Sequence, residues 1–207
     1  MIDFCLAAFA LLCLFPLFII LAIIIKLDSK GPAFFKQARI GKDFKPFEMY
    51  KFRSMVENAQ NMEGGVYCFA GDSRITQVGK FLRKTSLDEL PQLWNIVKGD
   101  MAFVGPRAPV VGHFPEYETL NEAYKRRFSV LPGITGLAQV TGRNELAWDE
   151  KVKYDNIYID KIQQYGLLFD AKLWLLTLIR VFSMTNVEEP QENLKKNQNS
   201  SVLKNRN

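Results

Sequence analysis

Asp88 and Glu89 stand side by side in the segment Arg83-Lys84-Thr85-Ser86-Leu87-Asp88-Glu89-Leu90-Pro91-Gln92. Adjacent carboxylates there have two readings. At a helix N-terminus, acidic residues gain roughly 0.3–1 kcal/mol each from the helix dipole. The same field keeps a carboxylate ionised, as a nucleophile or a metal ligand requires. Two helix registers compete. Ser86 with Glu89 three residues later matches a capping box, but places Pro91 where its missing N–H is needed. A start at Asp88 puts Pro91 in the first turn, where that N–H has no intrahelical partner in any case. Both registers set the pair at a helix N-terminus. A glycosidase pairing does not fit, because two carboxyls flanking a sugar bond lie about 5–9 Å apart on opposite sides of it. Neighbours on one turn, close to basic residues, suit magnesium and a phosphate group better.

The cations for such a site are Lys51, Arg53, Arg74, Arg83, Arg107 and Arg143. Arg107 follows Gly105-Pro106, and Arg143 sits in Thr141-Gly142-Arg143-Asn144. A glycine lets backbone N–H groups approach an anion, and an arginine grips it with two donors. The formal charge of +5 also points to an anionic partner: nucleic acid, acidic lipid or a phosphate-rich small molecule. No nucleic-acid-binding motif is present. Three scattered cysteines (Cys5, Cys13 and Cys68) provide neither a disulfide framework nor zinc spacing. The lone histidine, His113, argues against a His-based metal cluster and reads as a surface or packing residue.

The elements that must position these residues begin with an anchor. Phe4 to Ile25 carries no charge, and at 1.5 Å per residue it reaches about 33 Å, close to the hydrocarbon core of a bilayer. A removable signal peptide fits poorly, since no basic region precedes the run and no small-residue cleavage site precedes Lys26. Pro16 allows either a kinked span or a helix that breaks and returns to the same face. Lys26, Lys30, Lys36, Arg39, Lys42 and Lys45 follow, an excess that places the larger part of the chain on the cytoplasmic side.

Beyond the anchor, residues 33–35 and 47–52 read as strands of a β-hairpin around a turn at 41–46. A helix is expected over 54–61 and a loop over 62–72. Apolar periodicity marks amphipathic helices at 75–82 and 90–97. A tight loop at 105–109 precedes a polar helix over 115–128. Helices are expected over 148–162 and 167–184, the second either core or interfacial. The polar tail 186–207 reads as disordered.

Three long stretches carry a family resemblance: FKQARIGKDFKPFEMYKFRSM (Phe35 to Met55), DSRITQVGKFLRKTSLDELPQLWNIVKGDMAFVGPR (Asp72 to Arg107) and LPGITGLAQVTGRN (Leu131 to Asn144). In this order they resemble the bacterial sugar transferases, the monotopic phosphoglycosyl transferases, in their minimal form. The likeness continues to about Asp170. It implies transfer of a sugar 1-phosphate from a UDP-sugar to a polyprenyl (undecaprenyl) phosphate, giving polyprenyl-diphosphate-sugar and UMP. It further implies Asp88 as nucleophile and magnesium ligand, with Glu89 assisting in metal or proton handling. Arg83, Arg107 and Arg143 are the implied phosphate-binding residues, and Lys51 and Asp155 fall on polar positions that recur in the family. The implied cofactor is Mg²⁺. The implied place is the cytoplasmic face of the bacterial inner membrane, with downstream glycosyltransferases as further candidate partners.

The expected fold is α+β and mostly helical. A membrane-embedded helix over 1–27, re-entrant and broken at its proline by the family's pattern, precedes a catalytic domain over 28–185. That domain carries a small β-hairpin and amphipathic interfacial helices. Pro16 matches the family's proline, whereas Phe15 stands where relatives usually carry a small polar residue. The competing reading is a non-catalytic, membrane-anchored protein that binds anionic lipid or nucleic acid. It explains the charge and the anchor, but not the Asp-Glu pair beside glycine-arginine loops.

Overall fold

A computed structural model describes residues 1–62, 65, 71–142 and 146–182. The apolar run forms one helix, α1 (Ile2–Asp28). The helix is not divided at Pro16, so the expected break into two helices is corrected to a continuous element. A proline deletes one intrahelical hydrogen bond, and packing on both sides of it offsets that loss. Ala7, Leu11 and Leu14 pack with Met49, Leu93 and Ile96. Leu17, Phe18, Leu21 and Ile25 pack with Phe52 and Leu82. The rest of the helix stays bare, Phe9 being 68% and Leu12 77% exposed. So wide an apolar surface calls for lipid rather than water.

Both ends of α1 are tied to the remainder of the chain. The Asp3 carboxylate accepts the Phe103 N–H at 3.3 Å, and that of Asp28 accepts the Val78 N–H at 3.2 Å. Buried Arg53 closes the C-terminus, donating to the carbonyls of Ser29 at 2.6 Å and Lys30 at 2.6 Å. Such cationic capping satisfies carbonyls that a helix end leaves unpaired.

The hairpin is β1 (Phe34–Ile40) against β2 (Pro46–Phe52), antiparallel, with Phe34 opposite Phe52. The first strand runs further than its aromatic start indicated. α2 (Gln77–Thr85) is capped by Thr76, whose hydroxyl accepts the Gly79 N–H at 3.0 Å. α3 (Gln92–Lys98) follows. Asn95, fully buried, pins α3 to the hairpin. Its side chain accepts the Tyr50 N–H at 3.0 Å and donates to the Glu48 carbonyl at 2.6 Å.

A two-stranded parallel sheet joins β3 (Ala102–Val104) to β4 (Gly133–Thr135). Gly105 is required there by close approach: an added Cβ would lie 2.4 Å from the Leu131 carbonyl. α4 (Glu122–Arg126), α5 (Leu137–Thr141), α6 (Trp148–Tyr165) and α7 (Leu167–Phe182) complete the chain. Val152 joins a cluster with Ile40, Phe114 and Phe128. Tyr158 and Ile159 of α6 pack with Leu173 of α7 and Val104 of β3.

Two expected helices are corrected. Residues 54–61 hold only a 3-10 turn, Ala59–Asn61. Met55 instead bridges Ile75, and the Val56 N–H donates to the Arg74 carbonyl at 2.8 Å. Tertiary backbone pairing overrides a weak local propensity here. Residues 115–128 divide into a 3-10 turn, Tyr117–Thr119, the short α4, and a 3-10 turn that opens at Arg127. Extended Leu120 interrupts them, and the Asn121 side chain starts α4 anew by accepting the Tyr124 N–H at 3.1 Å. The expected tail 186–207 lies outside the described residues, as does most of the 62–72 loop.

Candidate active site

Asp88 and Glu89 lie on a 3-10 turn, Leu87–Glu89, between α2 and α3. Neither expected register holds, because α-helical bonding begins only at Gln92, with Pro91 as the preceding cap. Proline has no N–H to give to the Leu87 carbonyl, which accepts from Leu90 at 3.2 Å instead. The Ser86 side chain forms no capping bond, and Ser86 turns the chain at φ 58°. That left-handed conformation costs a non-glycine residue about 1–2 kcal/mol.

The Glu89 carboxylate is drawn away from the helix end. Its Oε1 accepts from Lys51 Nζ at 2.8 Å and from Arg107 Nη2 at 3.0 Å. Burial pushes its pKa up, but the charges and hydrogen bonds of Lys51 and Arg107 hold it well below the usual carboxylate range. Glu89 is therefore ionised and committed to two cations. Burial lowers the Lys51 pKa, against the pull of Glu89 and Asp88. β2 supplies Lys51, and the loop after β3 supplies Arg107, so three elements converge on one carboxylate.

Asp88 is buried too. No described side chain hydrogen-bonds its carboxylate. Burial raises its pKa, Lys51 opposes the shift and Glu89 adds to it. Burial, with no hydrogen bond to the carboxylate among the described residues, outweighs the field of a single turn. The two neighbours are separated in character, one carboxylate locked in ion pairs and one left free to react or bind.

Two cavities meet at Asp88. The larger, about 1180 Å³, is an apolar groove between the first turns of α1 (Ile2, Leu6, Phe9) and α7 (Trp174, Leu175, Leu178). The second, about 650 Å³, is a cation-lined cleft running past Arg39, Lys151 and Asp155. Lys51, Arg83, Asp88, Arg107 and Gln139 line both. An anionic group held there can be approached from an oily side and from a cationic side.

Of the residues expected from sequence, Lys51, Arg83, Asp88, Glu89 and Arg107 come together. Asp155 lines the cleft but is engaged by Arg127, whose Nε donates to Oδ2 at 3.0 Å. Arg143 lies outside the described residues. Gly105 differs from expectation. Its N–H donates to the Thr135 carbonyl at 2.8 Å, so it serves chain packing and aims Arg107 rather than receiving an anion. His113 packs on Phe114 and Trp148, with ring centres 4.8 and 4.6 Å away, as a packing residue would. Sequence reasoning missed Gln139 and Arg127. The run Lys125-Arg126-Arg127 looks like a solvated face, and Arg126 does pair with exposed Asp160, yet Arg127 is buried.

Comparisons with known proteins bear on the family of the chain. The bacterial sugar transferase family matches residues 1–184. A UDP-glucose:undecaprenyl-phosphate glucose-1-phosphate transferase of Klebsiella pneumoniae is 40% identical over 185 residues, 87% of this chain and 39% of that protein. A galactosyl transferase of Streptococcus agalactiae is 46% identical over 159 residues, 72% of this chain and 34% of that protein. An uncharacterized sugar transferase of Bacillus subtilis is 38% identical over 184 residues, 88% of this chain and 87% of that protein. The chain thus spans well under half the length of the first two relatives.

Proposed function

Since the chain belongs to the bacterial sugar transferase family, we propose that it transfers a sugar 1-phosphate from a UDP-sugar to undecaprenyl phosphate or a similar polyprenyl phosphate. The observation that carries this reading is the placement of Asp88, unpaired among the described residues, where the apolar groove and the cationic cleft join. The groove suits a prenyl chain with its phosphate at the inner end. The cleft suits the nucleotide sugar.

The chemistry runs in two displacements. An Asp88 oxygen attacks the phosphorus that bears the sugar, and the bond to UMP breaks with its electron pair leaving on UMP. A phosphosugar-aspartate remains. An oxygen of the lipid phosphate then attacks the same phosphorus, and the Asp88 carboxylate leaves. Nucleophile and substrates are all anionic, so cations must screen both approaches. Lys51, Arg83 and Arg107 line the site where this is needed. Glu89 holds Lys51 and Arg107 in place and stays ionised, which favours a positioning role over proton handling.

Magnesium fits the donor set. No group of three or more metal-ligating side chains exists among the described residues. One free carboxylate, Asp88, matches the habit of Mg²⁺ to take one or two carboxylates together with substrate phosphates. When bound, the ion would supply charge neutralisation at the phosphates.

The anchor reads as re-entrant in topology although it is one helix. Its two ends bond the same folded unit through Asp3 and Asp28, and its length packs against that unit. A helix crossing the bilayer would carry one end away. The lysines that follow α1 favour the cytoplasmic face of the inner membrane, where downstream glycosyltransferases would receive the product.

The test uses the full chain in lipid nanodiscs with a panel of UDP-sugars, undecaprenyl phosphate and Mg²⁺, reading UMP. Sustained release that needs the lipid phosphate and stops on chelation is expected. Sustained release without the lipid phosphate, or none with any UDP-sugar, contradicts the reading.

A further inference from the structure

The cation-lined cleft contains a buried cation that the two displacements do not use. Arg127 opens a 3-10 turn and its side chain is 1% exposed. Nε donates to Asp155 at 3.0 Å, and Nη2 donates to the Arg107 carbonyl at 2.8 Å. The guanidinium lies over Trp148, 5.1 Å from the ring centre, and over Phe128, at 5.4 Å. Nη1 is left with no acceptor among the described residues. A buried donor of a charged group without a partner is costly, and native structures leave few of them.

Arg127 lines the cleft, together with Asp155, Trp148 and Lys151, and none of these four lines the apolar groove. Its place on the cleft and off the groove sets it on the side of a ligand that carries no lipid. Eight Lys and Arg side chains and three acidic ones line this cleft. That balance favours the nucleotide half of the donor, which leaves as an anionic monophosphate, over the neutral sugar. The phosphates are already served at Asp88 by Lys51, Arg83 and Arg107. Arg127 sits behind Arg107, bonded to its carbonyl rather than to its guanidinium.

We propose that Arg127 is a nucleotide-binding residue, its Nη1 donating to a ribose or base oxygen of the UDP-sugar, and that Asp155 is the positioning residue that holds it there. This rests on the proposed reaction for the identity of the ligand. It recasts Asp155, which meets the nucleotide through Arg127.

The test compares Arg127→Lys and Asp155→Asn with the wild type in nanodiscs. Lysine keeps the charge but loses the planar fork that serves three acceptors at once. Asparagine keeps the volume and one acceptor oxygen, so this arm stands even where Arg127→Lys does not accumulate. Three quantities are read: KM for the UDP-sugar, KM for undecaprenyl phosphate, and the equilibrium Kd of UMP. One lost charge-assisted hydrogen bond predicts about a tenfold rise in the first and third for Arg127→Lys, with the second unchanged. Asp155→Asn moves the same two in the same direction, by less. A purely structural role would lower stability and kcat without that split. UMP affinity unchanged in both variants, or a rise shared equally by both KM values, overturns the proposal. If the wild type turns over no UDP-sugar yet UMP binding still weakens in the variants, the reaction reading fails and the nucleotide site stands.

Discussion

At the scale of the residue, two neighbouring carboxylates occupy opposite electrostatic states. Glu89 sits between two cations, while the carboxylate of buried Asp88 takes no hydrogen bond from the described side chains. Asp88 must lose its proton to attack phosphorus, and burial raises its pKa. The rate therefore rises with pH through a value above the ordinary ~4 of an aspartate. The pH profile of kcat/KM for UMP release measures that limb. Lys51→Met removes the charge that opposes the shift, so the limb of the residual activity moves to higher pH; an unmoved limb contradicts the assignment. Glu89→Gln keeps the shape but loses the charge that holds Lys51 and Arg107. Each charge-assisted bond contributes roughly 1.5–3 kcal/mol, so kcat falls about 10- to 100-fold, while the Asp88 limb persists and moves to lower pH because the charge of Glu89 helps raise it. The pair itself was legible in the sequence. Its division of labour was not, because that depends on Lys51 and Arg107, 38 and 18 residues away in the chain.

At the scale of the element, the site rests on short pieces fixed by buried polar contacts rather than on long regular structure. Asn95 is the clearest case. Asn95→Ala leaves the Tyr50 N–H and the Glu48 carbonyl without their partner, a loss of about 2–4 kcal/mol. Thermal unfolding of the variant shows it as a lowered midpoint, and the Lys51–Glu89 contact loosens with it because β2 carries Lys51. The hairpin, α2, α6 and α7 were legible, since alternation, capping and apolar periodicity are local signals. Three of the departures turn on single contacts. Residues 54–61 follow the backbone of 72–76, residues 115–128 restart at Asn121, and the turn at 87–89 exists because Pro91 withholds an N–H. In each, a non-local partner, a side-chain cap or a single missing donor outweighs the average propensity of the segment.

At the scale of the whole molecule, α1 is both anchor and wall. It packs on α2, α3 and the hairpin and lends its first turns to the groove that leads to Asp88. Both of its ends are expected on the cytoplasmic side. Single cysteines placed at Ile2 and at Lys30, in a chain otherwise free of cysteine, should both react with a membrane-impermeant reagent only from the cytoplasmic side of vesicles. Labelling of position 2 from the opposite side would make α1 a span. The groove and the cleft converge on one carboxylate, so each half-reaction should be separable by withholding one substrate. The most direct measurement is the intact mass of the chain incubated with its UDP-sugar and Mg²⁺ but no lipid phosphate. One equivalent of UMP should appear, with a sugar-phosphate adduct located on Asp88. Undecaprenyl phosphate should remove the adduct, and Asp88→Asn should form neither adduct nor UMP. An adduct on another residue, or undiminished UMP release from Asp88→Asn, would contradict the account.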